Sequence, residues 1–370
     1  MKKFKVLTVV GTRPEIIRLS SIIKSLDKKI NHVLVHTGQN YDYELSKIFF
    51  KDLSLRYPDY QIESDNDNPI NKISIILNEV EKIISKEKPD AFVILGDTNS
   101  CLSAYCAKRL KVPIFHIEAG NRCYDQRVPE EINRKIIDHI SDINITYSNV
   151  AKNNLLRENL NPDRIFQIGS PLAEVYKKNK KKIFKSKILN QLGIKKNNYL
   201  LISVHREENL DNNRNFKKFI NLLVFLNKTR KEKIVVSTHP RTKKILENFN
   251  IKDLKKIIFH KPFSYSDYSF LQLNAKSVLS DSGSITEESS IMGFDAINLR
   301  QTNERQEGME YGIVPMSHFD LDIITGLIDI KNSKKNQVKD YNCLNFSDIF
   351  FNILLSYTEY VNEYTWKKNN

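Results

Sequence analysis

Cysteine is scarce in this chain. Only Cys101, Cys106, Cys123 and Cys343 occur among 370 residues, too few and too scattered for a disulfide framework or a zinc site. Long apolar runs are also missing. The longest, such as 4–10 and 92–95, fall far short of the ~20 residues that cross a bilayer. After Met1-Lys2-Lys3 the chain enters a strand-like run, without the apolar region and cleavage site of a secretory leader, so a cytoplasmic location is expected. The glycines of a dinucleotide fingerprint and the Gly and Lys of a P-loop are lacking. There is no Gly-x-Ser-x-Gly elbow and no cysteine nucleophile with a histidine signature nearby. No segments have metal-ligand spacing, so neither a metal nor another cofactor is expected.

What is present is a globular composition, 40% hydrophobic and 28% charged, at a length that suits two ordinary domains. Lysine and arginine number 58 against 44 acidic residues, a formal charge of +14. Residues 1–170 hold 25 basic and 22 acidic side chains, and 171–370 hold 33 and 22. A basic chain invites a nucleic-acid partner. The lysine clusters, such as Lys180-Lys181-Lys182, lie in helix-like stretches without interleaved aromatics. That favours a solvated basic surface with a small anionic ligand elsewhere, and no nucleic-acid or membrane partner.

Short β-branched runs alternate with amphipathic stretches. Strands are expected at 4–10, 32–36, 91–95, 113–117 and 142–146, with helices at 14–26, 41–52, 69–88, 100–110 and 130–140. The rhythm restarts after Gly169-Ser170-Pro171, with strands at 199–204, 233–237, 256–260, 277–279 and 296–299. Unalternated apolar strands separated by helices indicate parallel sheets covered on both faces. The expected class is α/β, with two Rossmann-like doubly wound domains at 1–170 and 171–345. A final helix over 346–370 carries one apolar stripe that would pack back on the first domain.

In open parallel sheets ligands bind at the carboxyl ends of the strands, and five segments fall there. Gly11-Thr12-Arg13-Pro14-Glu15 opens a helix, whose N-terminus and Arg13 favour an anion. Gly96-Asp97-Thr98 supplies a carboxylate that could be an acid/base or a helix cap. Glu118-Ala119-Gly120-Asn121-Arg122 and Pro129-Glu130-Glu131 add further carboxylates, which held together can divide acid and base roles. Glu130 and Glu131 equally suit a helix first turn, and His116 reads as a core histidine. His205, at a strand end, is the histidine favoured for function, and His239 is placed similarly with a weaker claim. Ser280-Asp281-Ser282-Gly283-Ser284 leads into a helix bearing Glu288 and reads as a diphosphate cradle or a well-capped helix.

Taken together and in order, these segments resemble the non-hydrolysing UDP-N-acetylhexosamine 2-epimerases. The resembling pieces are Gly11–Glu15, Gly96-Asp97-Thr98, Glu118-Ala119-Gly120, Pro129-Glu130-Glu131 with Asn133-Arg134, His205-Arg206 with Glu208, and Asp281 to Glu288 with Glu304-Arg305. The resemblance implies a GT-B-like fold with an interdomain cleft, a UDP-sugar substrate and a homodimer. It implies that UDP leaves C1 as the C2 proton is lost, and adds back while a proton reaches the other face of C2. Carried over by position, Asp97, Glu118 and Glu130 are the acid/base candidates, and His205 assists departure of the diphosphate. Arg13, Arg18, Arg122, Arg206, His239, Ser282, Gly283, Ser284, Glu288 and Arg305 are the substrate and UDP contacts. The stretch 121–129, Asn-Arg-Cys-Tyr-Asp-Gln-Arg-Val-Pro, resembles the capsule and O-antigen enzymes that act on UDP-2-acetamido-2,6-dideoxy-L-talose and make UDP-N-acetyl-L-fucosamine. Gln39 is followed by Asp42 where UDP-GlcNAc enzymes carry a second Gln, a departure that argues against activation by a second UDP-GlcNAc. The enzyme alternatives are a UDP-GlcNAc/UDP-ManNAc 2-epimerase and a GT-B glycosyltransferase.

Overall fold

The computed structural model describes residues 4–38, 43–64, 68–204, 213–238, 254–330 and 336–368. The chain divides into two compact units, one formed by Met1–Lys177 with Lys339–Asn370, the other by Lys178–Val338.

The first unit alternates β1 (Lys5–Val10), α1 (Arg13–Lys29), β2 (Asn31–His36), α2 (Tyr43–Asp52), β3 (Tyr60–Gln61), α3 (Pro69–Glu87), β4 (Ala91–Leu95), α4 (Ala104–Arg109), β5 (Ile114–Ile117), α5 (Pro129–Ile140), β6 (Ile143–Thr146), α6 (Asn149–Arg157) and β7 (Ile165–Gln167). Its described strands form one parallel sheet in the order β3-β2-β1-β4-β5-β6-β7. Every residue of β4 and β6 is buried, as central strands covered on both faces require. On one face Leu7, Val9, Phe92 and Ile94 pack against Ile76, Val80, Ile83 and Ile84, the inward stripe of α3.

The expected helix over 100–110 is split, with a 3₁₀ turn at Asn99–Ser103 preceding α4. Two tertiary hydrogen bonds hold that turn: Thr98 Oγ1 to Glu15 Oε1 at 2.5 Å, and Ser100 Oγ to Thr37 Oγ1 at 2.7 Å. Propensity yields to such context.

The helix α7 (Pro171–Ile183) begins in the first unit and ends in the second. The expected boundary at 170 therefore falls at its start. In its first turn, buried Glu174 accepts hydrogen bonds from Ser347 N at 2.8 Å and Ser347 Oγ at 2.7 Å, which ties the start of α7 to the chain's last helix. The second unit carries α8 (Ile188–Leu192), β8 (Tyr199–Ser203), α9 (Asn213–Thr229), β9 (Lys233–Ser237), β10 (Ile257–His260), α10 (Tyr265–Asn274), β11 (Ser277–Ser280), α11 (Ile285–Met292), β12 (Ala296–Asn298), α12 (Gln306–Glu310) and α13 (Leu321–Asp329). Its parallel sheet has the order β10-β9-β8-β11-β12. Leu200 and Ile202 pack there with Phe216, Phe219 and Leu223 of α9.

The tail helix α14 (Phe346–Tyr364) belongs to the first unit. Phe350, wholly buried, meets Phe115 of β5 edge-on at 6.3 Å, and Tyr357 meets Phe166 of β7 at 4.7 Å. The architecture is thus α/β with two Rossmann-like parallel sheets, each of which reverses its strand order once: between β1 and β4 in the first unit, and between β8 and β11 in the second. Among the described residues no helix is long and apolar enough to cross a membrane.

Candidate active site

In the first unit the polar residues gather at the switch point. Gly11 follows β1, where a Cβ would lie 2.0 Å from Ser100 Oγ and 2.2 Å from Thr37 Oγ1, so the close approach of three segments requires glycine. Glu15 turns back under this bend. Its carboxyl group accepts from Gly11 N at 2.5 Å, Thr12 N at 3.0 Å and Thr98 Oγ1 at 2.5 Å. Burial pushes this carboxyl up to about 7, against the pull of those three hydrogen bonds. Arg13 is half-buried, its guanidinium 6.0 Å from the Phe49 ring.

Asp97 follows β4. Arg134 of α5 holds one of its oxygens, Oδ2, through Nε at 3.0 Å and Nη2 at 2.7 Å. Asn133 Nδ2 donates to the Asp97 carbonyl at 2.9 Å. The aspartate side chain keeps 23% of its surface exposed.

Glu118 follows β5 with a φ of +73°, a left-handed conformation that is strained for a residue with a Cβ. The Arg18 guanidinium lies 3.6 Å from its Oε2, to which Tyr147 OH donates at 3.3 Å, and Asn121 Nδ2 donates to Oε1 at 3.4 Å. Arg18 is buried in α1 and faces the carboxylate from the neighbouring element. Asp97 and Glu118 thus stand at the ends of adjacent strands, each with its own arginine. Glu130 opens α5 and is half-buried.

Arg122 differs from expectation. Its side chain is wholly buried, its guanidinium binds Asp138 at 2.6 Å and Glu158 at 2.7 and 2.6 Å, and it donates to the Asn121 carbonyl. It braces the loop from inside instead of lying open to a ligand. His116 is buried, as expected of a core histidine, with Nε2 2.8 Å from the Gly96 carbonyl and Nδ1 3.0 Å from Asp138 Oδ1.

In the second unit, β11 ends in Ser280 and the chain turns through Asp281-Ser282-Gly283-Ser284 into α11. Ser282 Oγ lies 2.9 Å from Ser284 Oγ and accepts from Ser284 N at 3.3 Å. Glu288, one turn in, accepts from Ser284 Oγ at 2.7 Å and from Gln272 Nε2 at 2.6 Å. Ser282, Gly283, Ser284 and Glu288 are all half-buried, so the turn is reachable. Arg305, expected to touch the ligand, is only 1% exposed. It donates to the Gly283 carbonyl at 3.1 Å and lies 3.3 Å from Glu287, holding the turn from behind.

Sequence reasoning missed Arg300, two residues past β12. Its side chain is 2% exposed and pairs with Glu304 at 3.1 Å, while Nε and Nη2 have no hydrogen-bond partner among the described residues. Tyr147 carries no sequence signal, and Glu15, Glu131 and Arg134 enter only as members of motifs. The available signal was the spacing 131, 134, 138 on α5, three charged residues on one helix face. His205, Arg206 and His239 lie outside the described residues. Among the described residues no cluster of His, Cys, Asp and Glu could hold a metal ion.

Paired carboxylates with arginines at one switch point, and a hydroxyl-lined turn at a helix N-terminus at the other, mark a two-sheet α/β enzyme. Comparison with known proteins narrows this. The profile of the family described as UDP-N-acetylglucosamine 2-epimerase matches residues 24–345. A solved structure of UDP-N-acetylglucosamine 2-epimerase from Rickettsia bellii is similar with 47% identity, covering 98% of this chain and 99% of that one, at a TM-score of 0.90. The UDP-N-acetylglucosamine 2-epimerase of Methanocaldococcus jannaschii is 36% identical over 91% of this chain and 94% of its own length. A crystal structure of the enzyme from that organism in complex with UDP-GlcNAc and UDP has a TM-score of 0.86, covering 94% of this chain and 100% of that one at 34% identity. UDP-2,3-diacetamido-2,3-dideoxy-D-glucuronate 2-epimerase of Pseudomonas aeruginosa is 32% identical over 81% of this chain and 84% of its own. The chain belongs to the non-hydrolysing UDP-N-acetylglucosamine 2-epimerase family and is an isomerase.

Proposed function

We propose that this enzyme epimerises C2 of a UDP-2-acetamido sugar by eliminating UDP and adding it back. The observation that carries the proposal is the placement of Asp97 and Glu118 at the carboxyl ends of β4 and β5, each beside an arginine. The C2 proton is not next to a carbonyl, so its direct removal would leave an unstabilised carbanion. Loss of UDP from C1 together with that proton gives a 2-acetamidoglycal. Re-addition of UDP with proton delivery to the opposite face of C2 gives the epimer. Two acid/base groups are needed, one for each face, and Asp97, Glu118 and Glu130 are the carboxylates for these roles. The leaving diphosphate must stay bound, a task for the Ser282-Gly283-Ser284 turn, and His205 assists its departure. Glu288 takes the ribose. Buried Arg300 adds positive charge near the carboxyl end of the same sheet.

The preferred substrate is UDP-2-acetamido-2,6-dideoxy-L-talose, giving UDP-N-acetyl-L-fucosamine for surface polysaccharide. The sequence of 121–129 supports this over UDP-GlcNAc. The second reading, interconversion of UDP-GlcNAc and UDP-ManNAc, is favoured by what the similar proteins are called. The enzyme works as a cytoplasmic homodimer, which sedimentation of the purified chain and cell fractionation check. Incubating the enzyme with each nucleotide sugar, followed by NMR of the product, separates the two substrates. Turnover of UDP-GlcNAc alone would reject the L-talose reading. In heavy water deuterium enters C2 during turnover, and its absence would falsify elimination and addition. Asp97→Asn, Glu118→Gln and Glu130→Gln each lower kcat at least about 100-fold while calorimetry still detects UDP binding.

A further inference from the structure

Helix α5 carries an inward stripe of charge. Glu131, Arg134 and Asp138, three and four residues apart, are exposed by 0%, 3% and 0%. Each reaches a loop that bears one of the site carboxylates.

Arg134 places both of its contacts to Asp97 on Oδ2, and no described residue hydrogen-bonds Oδ1. The guanidinium thus fixes one oxygen and leaves the other presented. Its remaining nitrogen, Nη1, lies 3.1 Å from Glu131 Oε2. Glu131 in turn accepts from Cys123 N at 3.0 Å and Tyr124 N at 3.1 Å, pinning the segment that follows Glu118. Asp138 accepts from Gly120 N at 3.2 Å, two residues past Glu118, and from Arg122 Nη1 at 2.6 Å. Through His116, 3.0 Å away, it also reaches the carbonyl of Gly96, the residue before Asp97.

Buried ion pairs are poor providers of stability, because desolvation offsets their attraction and well-packed apolar groups do as well or better. A helix face that buries three charges is better explained by geometry. Catalysis tolerates little displacement, about 1 Å being enough to lower rates some 100-fold.

We propose that the Glu131–Arg134–Asp138 stripe of α5 is a positioning frame that sets the Asp97 carboxylate relative to Glu118 without itself touching the substrate. This rests on the acid/base reading of those two carboxylates.

The test uses the full chain with Arg134→Gln and Arg134→Lys. Thermal melting, calorimetric UDP affinity, and kcat and KM for the nucleotide sugar turned over by wild type are measured. The expected result for Arg134→Gln is UDP affinity and KM within about threefold of wild type and kcat about 100-fold lower. Arg134→Lys restores the charge but not the fork and recovers about tenfold of that loss. A folded Arg134→Gln enzyme with kcat within threefold of wild type overturns the frame. So does a kcat loss matched by an equal loss of UDP affinity. Should the Gln variant not fold, the Lys variant decides: a tenfold lower kcat at unchanged KM supports the frame, and wild-type kcat overturns it. Asp97→Asn separates this from the parent reading. If that variant turns over normally, the acid/base assignment fails. If it is dead while Arg134→Gln is normal, only the frame fails.

Discussion

Glu15 and His36 are two buried titratable residues near the ends of adjacent strands, β1 and β2, with opposite effects on the pH dependence of stability. Burial raises the Glu15 carboxyl from 4.5 to about 7. Its contribution is complete below pH 4.5 and is lost as pH rises through 7. Burial lowers His36, in β2, from 6.5 to about 4, so its contribution is complete above pH 6.5 and is lost as pH falls through 4. Between pH 4.5 and 6.5 the two oppose each other. Glu15→Gln removes only the first, so relative to wild type its stability rises by about 3 kcal/mol between pH 4.5 and 7. Urea unfolding at pH 5 and 7.5 measures this, and a variant whose pH dependence parallels wild type would count against it. Sequence marks Glu15 as an acidic residue in a helix first turn. Its raised carboxyl comes from burial beneath segments that converge from two strand ends, with hydrogen bonds from Gly11, Thr12 and Thr98 pulling the other way, and spacing does not reveal that packing.

Helices α14 and α5 show where patterning works and where it misleads. The tail's apolar stripe was legible because α14 obeys the ordinary rule, with Phe346, Phe350, Leu354 and Val361 all buried completely. Phe350→Ala is expected to cost about 3–5 kcal/mol, read from denaturant midpoints. In α5 the rule is inverted: Ile132 and Ile136 are 49% and 44% exposed, while Glu131 and Asp138 are inside. Hydrophobic periodicity alone turns that helix the wrong way, and so hides three of the residues that brace the site. Strands β3 and β7, of two and three residues, are too short to show a period at all. Gly120 depends on an element far along the chain. With φ at +84° and a Cβ position 2.2 Å from the Ala151 carbonyl, Gly120→Ala is expected to cost about 1–3 kcal/mol and to lower the melting temperature.

At the scale of the whole molecule, a charge of +14 suggests a polymer of opposite charge, yet Arg18, Arg134 and Arg305, buried and paired, stand at two small sites. UDP at 100 times its Kd is expected to add about 2.7 kcal/mol of stability. Duplex DNA at physiological salt should leave the melting temperature unchanged. A salt-dependent shift with DNA that UDP does not displace would reverse the assignment. Sequence by itself determined the α/β class, the two-sheet rhythm and the strand ends that carry Asp97, Glu118 and Ser282. Local periodicity and turn chemistry encode those features within a few residues. Only the tertiary structure decided which charges stay accessible and which face the interior. Arg122 and Arg305 were expected at the ligand but lie inside, whereas Arg134, from a motif given no role, holds Asp97. The difference is physical: whether an arginine points outward or inward depends on the carboxylates and carbonyls that long-range packing brings beside it.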